Sequence, residues 1–225
     1  MRKRQIDWKQ TFIFIIGLGL ITLLTAGFIT IVEEWQEREI EAFDSAVYSG
    51  VSKFVTPGVT EFMKGITFLG GIEWISFLTA IAVILFIVFK KYSLAVYVLL
   101  TVAIGGGFNW GLKEYFKRER PDIEALVEQG GYSFPSGHSM SSFIFYGALA
   151  FALFRLYDHT WSKVLGAAVL MLLVFLIGVS RIYLGVHYPS DILGGFSAGG
   201  VWLSFSILVY TFIKGGRPWR KISTF

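Results

Sequence analysis

Apolar residues run along this chain in long, nearly unbroken blocks, without the alternation of a half-buried strand or the stripe of a water-facing helix. Thr11–Val32, Tyr92–Leu112, Val164–Ser180 and Ile192–Ile213 carry no charge, and Gly65–Phe89 carries one, Glu73, near its start. Ser139–Phe154 is shorter but extends backward through the Pro135–His138 region. A membrane-spanning helix needs about 20 mostly apolar residues, so the pattern predicts an all-α, six-helix transmembrane bundle with both termini on one side. The longest polar stretch, Glu33–Lys64, lies between the first two spans. Within it Trp35, Ile40, Phe43, Val47, Val51 and Phe54 recur at near-helical spacing among acids. That spacing predicts either an amphipathic helix on the membrane surface, ended near Pro57-Gly58, or a plain connector that touches no lipid.

Composition agrees with a bilayer as solvent. The chain is 54% hydrophobic and 16% charged, whereas a soluble domain is about a quarter charged; the deficit excludes a water-facing surface. Arg2, Lys3 and Arg4 precede the first span, but its apolar run exceeds a signal peptide's and no small-x-small cleavage site follows, so it is read as a retained helix. Lysines and arginines concentrate at one set of ends: Arg2, Lys3, Arg4, Lys9, Lys90, Lys91, Arg155, Lys163, Lys214, Arg217, Arg220 and Lys221, with only Asp7 and Asp158 acidic there. The bias makes that side, with both termini, cytoplasmic in a multi-pass cell-membrane protein. Gly105-Gly106-Gly107 and Gly195-x-x-x-Gly199 allow close helix contact, or dimerisation; oligomeric state is not readable. No cysteine is present, so neither a disulfide framework nor a thiolate metal site exists. No basic stripe with interleaved aromatics fits nucleic acid. Residues 1–225 leave no room for a separate soluble domain and are read as one membrane-embedded domain.

Candidate chemistry sits in two connections. One carries Lys113, Arg120-Pro121 and Pro135-Ser136-Gly137-His138; the other carries Ser180-Arg181 and His187 with Asp191 four residues on. Two crossings separate them, so both reach the same face, the one opposite the termini. A histidine with a carboxylate to orient it, a second histidine as proton donor and several cations fit an anionic phosphoryl group at a bilayer surface. Lys113, Lys117, Arg118 and Arg120 put four cations on the side otherwise poor in them. Neutralisation by nearby acids, giving a merely solvated loop, accounts for Lys117 and Arg118 but fits Lys113 and Arg120 less well.

Lys113-x6-Arg120-Pro121, Pro135-Ser136-Gly137-His138 and Ser180-Arg181-x5-His187-x3-Asp191 together match all three signatures of the type 2 phosphatidic acid phosphatase family, with no signature position departing from the pattern. Size and layout are similar to its bacterial phosphatidylglycerophosphatase and undecaprenyl pyrophosphate phosphatase members. The resemblance implies a metal-free, cofactor-free lipid phosphatase acting on lipid phosphates such as phosphatidylglycerol phosphate, undecaprenyl pyrophosphate or phosphatidic acid. His187 would then be the nucleophile that becomes phosphohistidine. Asp191 would fix its tautomer and balance its charge; a sixth helix beginning near Pro189 would place Asp191 at that helix's positive end. His138 would be the general acid and then the base toward water. Arg120 and Arg181 would clamp phosphoryl oxygens, Lys113 would add charge, and Ser136 and Gly137 would open a helix whose N–H groups bind an anion.

Other readings stay open for the same residues. His187 as a surface histidine and His138 as a helix-terminal residue satisfied by backbone are the plain alternatives. A metal between the histidines is disfavoured by the cations around them, and His159 beside Asp158 is read as exposed. At the level of function, the alternatives are a phosphatase or phosphotransferase on water-soluble esters and a non-catalytic phosphate-binding membrane protein. The motifs also resemble those of vanadium haloperoxidases.

Overall fold

The computed structural model describes residues 8–157 and 159–214. Arg2, Lys3, Arg4, Asp7, Asp158, Arg217, Arg220 and Lys221, on which part of the charge bias rests, lie outside them. Among the described residues every regular element is an α-helix: α1 (Trp8–Gln36), α2 (Glu41–Ser52), α3 (Pro57–Phe68), α4 (Ile72–Val88), α5 (Tyr92–Phe116), α6 (Gly137–Leu156), α7 (Thr160–Tyr183) and α8 (Pro189–Lys214). Helices α1, α5, α6, α7 and α8 are each long and apolar enough to cross a bilayer, and α3 with α4 make a sixth candidate crossing bent by 47°.

The all-α bundle is as expected, but the second span is not one straight helix. It breaks at Leu69–Gly71, where Gly70 lies so close to α7 that a Cβ on it would stand 2.5 Å from Ile177 Cγ2. Pro57, expected to end the surface helix, instead opens α3 at its first turn, where a missing N–H costs nothing. Thr56 caps that helix, its Oγ1 accepting from Val59 N at 3.4 Å. The surface helix is therefore shorter than its periodicity suggested. Trp35 belongs to α1, the chain turns through Arg38 at a left-handed φ of 63°, and α2 follows. Ile40 and Asp44 face inward and are buried, Val47 and Val51 are half-buried, and Phe43 and Phe54 are exposed. This inward stripe rests on α7 and α8.

Large apolar side chains cover the outside of the bundle: Leu23 on α1, Ile72 and Phe77 on α4, Leu165 and Leu172 on α7, and Phe205 and Phe212 on α8 are all exposed. Lipid tails solvate such side chains as well as a protein core does, so helix association depends on close packing. Glycines on α8 provide it: a Cβ on Gly195 would stand 2.9 Å from Ser136 O, and one on Gly199 3.1 Å from Met140 O. Gly105 likewise packs on Ile144 and Trp202, while Gly106 and Gly107 face open space. Met140, Ile144 and Phe145 of α6 are essentially inaccessible. Helix α6 is thus the central post, packed on α5, α7 and α8, and α1 closes the bundle against α8.

Candidate active site

The two motif-bearing connections meet at the C-terminal ends of α5 and α7 and the N-terminal ends of α6 and α8. His187 stands between α7 and α8, after a turn through Gly185 at φ 73°, and is 3% exposed. Its Nδ1 lies 3.2 Å from Asp191 Oδ2 and its Nε2 lies 3.2 Å from Arg120 Nη1. A guanidinium can only donate, so Nε2 carries the lone pair and Nδ1 the proton, assigned from this network. Burial holds the imidazole well below its ordinary range, at about 4; the hydrogen bond and charge of Asp191 oppose the shift, and Arg120 and Arg181 add to it. At neutral pH His187 is therefore an uncharged base with its free nitrogen turned to a cation.

Asp191 lies in the first turn of α8 and is wholly buried. Its Oδ2 accepts from Tyr188 N at 2.9 Å and from Ser133 Oγ, and its Oδ1 accepts from Arg118 Nη1 at 2.8 Å. The reach back to Tyr188 N follows capping-box logic and satisfies a donor just ahead of the helix. Helix α8 begins at Pro189, as the sequence predicts.

Three cations surround the imidazole, and none makes an ion pair among the described residues. Arg120 donates from Nε to Gly131 O at 3.0 Å, from Nη1 to Val186 O at 2.6 Å and from Nη2 to Gly130 O at 2.9 Å. Lys113, in the last turn of α5, donates to Tyr132 O at 2.5 Å and Ser133 O at 3.2 Å. Arg181, in the last turn of α7, donates to Thr67 Oγ1 at 2.6 Å and Gln129 Oε1 at 2.7 Å, while its buried Nε has no partner among the described residues. Buried charge held only by neutral oxygens is costly, and an unsatisfied guanidinium N–H is a donor suited to an anion.

His138, early in α6, lies in electrostatic reach of Arg181, His187, Arg120 and Lys113. Its ring fits against the helix break: a Cβ on Gly70 would stand 3.4 Å from His138 Cδ2. Ser136 caps α6, its Oγ accepting from Ser139 N at 3.4 Å, and its own N–H donates to Asp191 O at 3.0 Å. Gly137 is tightly packed; a Cβ there would stand 3.2 Å from Asn109 Oδ1 and 3.7 Å from Lys113 Cε. The structure thus brings together His187, Asp191, His138, Lys113, Arg120, Ser136, Gly137 and Arg181. Exposed His159 is remote in the fold, at the start of α7.

One sequence expectation is corrected. Arg118, assigned to a solvated loop, is 7% exposed and bonded to Asp191, while its neighbours Lys117 and Glu119 are exposed. Lys117 takes a left-handed φ of 49° at the end of α5, and the turn carries Arg118 inward. Asp44, Ser133, Thr67 and Gln129 were not anticipated either. A cleft of about 910 Å³ opens beside His187, lined also by Trp35, Asp44, Tyr48, Arg118 and Tyr188. Among the described residues no three His, Asp or Glu side chains converge as a metal site.

The comparisons with known proteins agree with this layout. Phosphatidylglycerophosphatase B of Bacillus subtilis is 34% identical over 183 residues, covering 78% of this chain and 84% of that protein. Human dolichyldiphosphatase 1 is 32% identical over 139 residues, covering 56% of this chain and 58% of that protein. The crystal structure of the first transmembrane PAP2-type phosphatidylglycerolphosphate phosphatase from Bacillus subtilis superposes with a TM-score of 0.80 at 30% identity, over 89% of this chain and 98% of that one. The model of the PAP2 superfamily matches residues 94–214, more than half of the sequence and every motif position from Lys113 to Asp191, so the chain belongs to that superfamily.

Proposed function

We infer that in this membrane lipid phosphatase His187 Nε2 attacks the phosphorus of a lipid phosphate or diphosphate ester and becomes phosphohistidine. The observation that carries the reading is the setting of the imidazole: proton side held by Asp191, lone-pair side turned to Arg120, and three cations, Arg181 buried and Lys113 and Arg120 half-buried, without a carboxylate partner among the described residues. Attack breaks the bond from phosphorus to the leaving oxygen, which takes a proton from His138. Asp191 balances the positive charge that appears on His187. His138, now neutral, accepts a proton from water as that water attacks phosphorus, and the P–N bond breaks to free phosphate and the neutral imidazole. Lys113, Arg120 and Arg181 stabilise the phosphoryl oxygens, with the N–H groups at Gly137 and His138 in the helix that Ser136 caps. No metal or cofactor is invoked, because this cation cluster repels a divalent ion and already supplies the positive charge.

The substrate sits where the bundle end meets the interface, its tails in hydrocarbon. Phosphatidylglycerol phosphate, undecaprenyl pyrophosphate and phosphatidic acid share the needed chemistry. Lys90, Lys91, Arg155, Lys163 and Lys214 occupy the helix ends opposite His187, which supports cytoplasmic termini and an outward-facing site. An outward site favours undecaprenyl pyrophosphate, a lipid released on the outer leaflet.

The test is trapping of radiolabelled phosphate on the purified protein in detergent with a chelator present. Label on His187 and turnover that survives chelation are expected; turnover retained by His187→Ala would remove the assignment. Orientation is read separately with the cysteine-free chain. Glu119→Cys should react with a membrane-impermeant maleimide from outside intact cells, and Lys91→Cys only after lysis.

A further inference from the structure

We propose that Asp44 of the surface helix α2, working through Arg118, is a positioning residue for the Asp191–His187 pair. The proposal rests on the assignment of His187 as nucleophile. Asp44 is 4% exposed, on a short helix whose other acid, Glu41, is exposed. A carboxylate leaves water at that depth only when its oxygens are fully bonded. Those of Asp44 are: Oδ1 accepts from Ser190 N at 2.8 Å, and Oδ2 accepts from Ser190 Oγ at 2.6 Å and Arg118 Nη2 at 3.0 Å. The bond to Ser190 N caps the first turn of α8 from another helix, which pins the turn that carries Asp191.

Arg118 links the two carboxylates. Nη2 is on Asp44, while Nη1 donates to Ser190 Oγ and to Asp191 Oδ1, each at 2.8 Å. Its carbon lies 4.1 Å from the centre of the Tyr188 ring and 5.2 Å from that of Trp35, so the fork is gripped on its faces as well as its ends. Two carboxylates sharing one guanidinium leave a net negative charge. Without Asp44, Arg118 would belong to Asp191 alone, and the carboxylate would be drawn toward it and away from the imidazole. With Asp44, Asp191 stays in register and keeps negative charge for the imidazolium that forms during attack. The helix that lies over the bundle end is in this way part of the catalytic apparatus.

The test uses full-length protein in detergent, with turnover of one lipid phosphate and melting temperature measured on every variant. Asp44→Asn, which keeps shape and removes charge, should lower kcat by about tenfold to a hundredfold, the usual effect of an outer partner, with KM essentially unchanged because Asp44 is not assigned to the phosphate. Asp44→Glu should recover part of the loss. Once Asp191→Asn has removed the carboxylate through which Asp44 acts, adding Asp44→Asn should change kcat by less than about twofold. Ser190→Ala deletes one strut without a charge, should lower kcat less, and decides the matter if Asp44→Asn does not fold. Unchanged kcat in Asp44→Asn or Ser190→Ala overturns the proposal, as do losses that multiply with that of Asp191→Asn. A lowered melting temperature with kcat intact also overturns it, leaving Asp44 as an anchor for α2. The His187→Ala control separates the two claims. Turnover by that variant sinks the nucleophile assignment, whereas an inactive His187→Ala beside a fully active Asp44→Asn sinks the relay alone.

Discussion

Replacing Asp191 with asparagine removes one charge and one acceptor oxygen from the site. The amide oxygen can still accept the Nδ1 proton of His187; the amide nitrogen then faces Arg118 Nη1, which loses that acceptor but keeps Ser190 Oγ, while Nη2 keeps Asp44. What disappears is a negative charge 3.2 Å from the nitrogen that becomes cationic after attack, in a pair whose side chains are 2% and 0% exposed. At an effective dielectric near 20, two unit charges at that separation attract by about 5 kcal/mol. The amide dipole retains part of that. Each ~1.4 kcal/mol is a factor of ten in rate, so kcat should fall by about a thousandfold to ten-thousandfold, with a small change in KM. The assay is phosphate release from a lipid phosphate in mixed micelles, with single-turnover labelling of His187 to locate the slow step. Burial already holds His187 at about 4, so the imidazole is neutral throughout the working range and a more basic buffer should not restore the variant. A loss smaller than about tenfold, or recovery at higher pH, would refute the idea that Asp191 serves the charge appearing on His187.

Acidification should expose the buried imidazole in the folding equilibrium. Its pKa is about 4 when folded against 6.5 when free, so the unfolded chain binds the extra proton across that window and stability falls as pH drops through it, by up to about 3 kcal/mol. The melting temperature of His187→Gln should decline less steeply over the same range, and an equal slope would mean the folded imidazole is not held neutral. Arg181→Lys removes the unpartnered Nε and the two-point grip on Thr67 and Gln129, and should weaken inhibition by vanadate, a mimic of five-coordinate phosphorus, by about tenfold or more; unchanged inhibition would exclude Arg181 from the anion site. Gly195→Ala drives a methyl group to 2.9 Å from Ser136 O and 3.0 Å from Ser139 Cβ, which should cost about 1–3 kcal/mol and slow turnover by shifting the start of α6. Gly106→Ala, facing open space, should do neither, and matched melting temperatures for the two variants would contradict the packing described.

Hydropathy located the spans because a bilayer imposes length and apolarity on any helix that crosses it. It could not reveal the bend between α3 and α4, since Gly70 and Gly71 count as mildly apolar residues and their effect lies in the contact with Ile177 and His138. The three motifs indicated the residues that gather around His187, because side chains that handle a phosphoryl group come from a short chemical menu. Arg118 escaped because Lys117-Arg118-Glu119-Arg120 reads as uniformly charged, and only the left-handed turn at Lys117 decides which cation is buried. Asp44 leaves a trace in the sequence. It falls on the same face as Ile40, Val47 and Val51, and an acid within an apolar stripe asks for a buried partner.

The contact between α1 and α8 bears on how the molecule is made. Phe14 meets Phe212 with ring centres 6.4 Å apart, Leu24 fills the space above Gly200, and Gly17 receives Leu208. Helix α1 leaves the ribosome long before α8, and until then it has only lipid along the side that α8 will occupy. Asp191, which holds the His187 ring nitrogen, arrives with that same late helix. On the mechanism proposed above, a nascent polypeptide therefore has no working phosphatase until α8 has been made and has packed on α1 and α6.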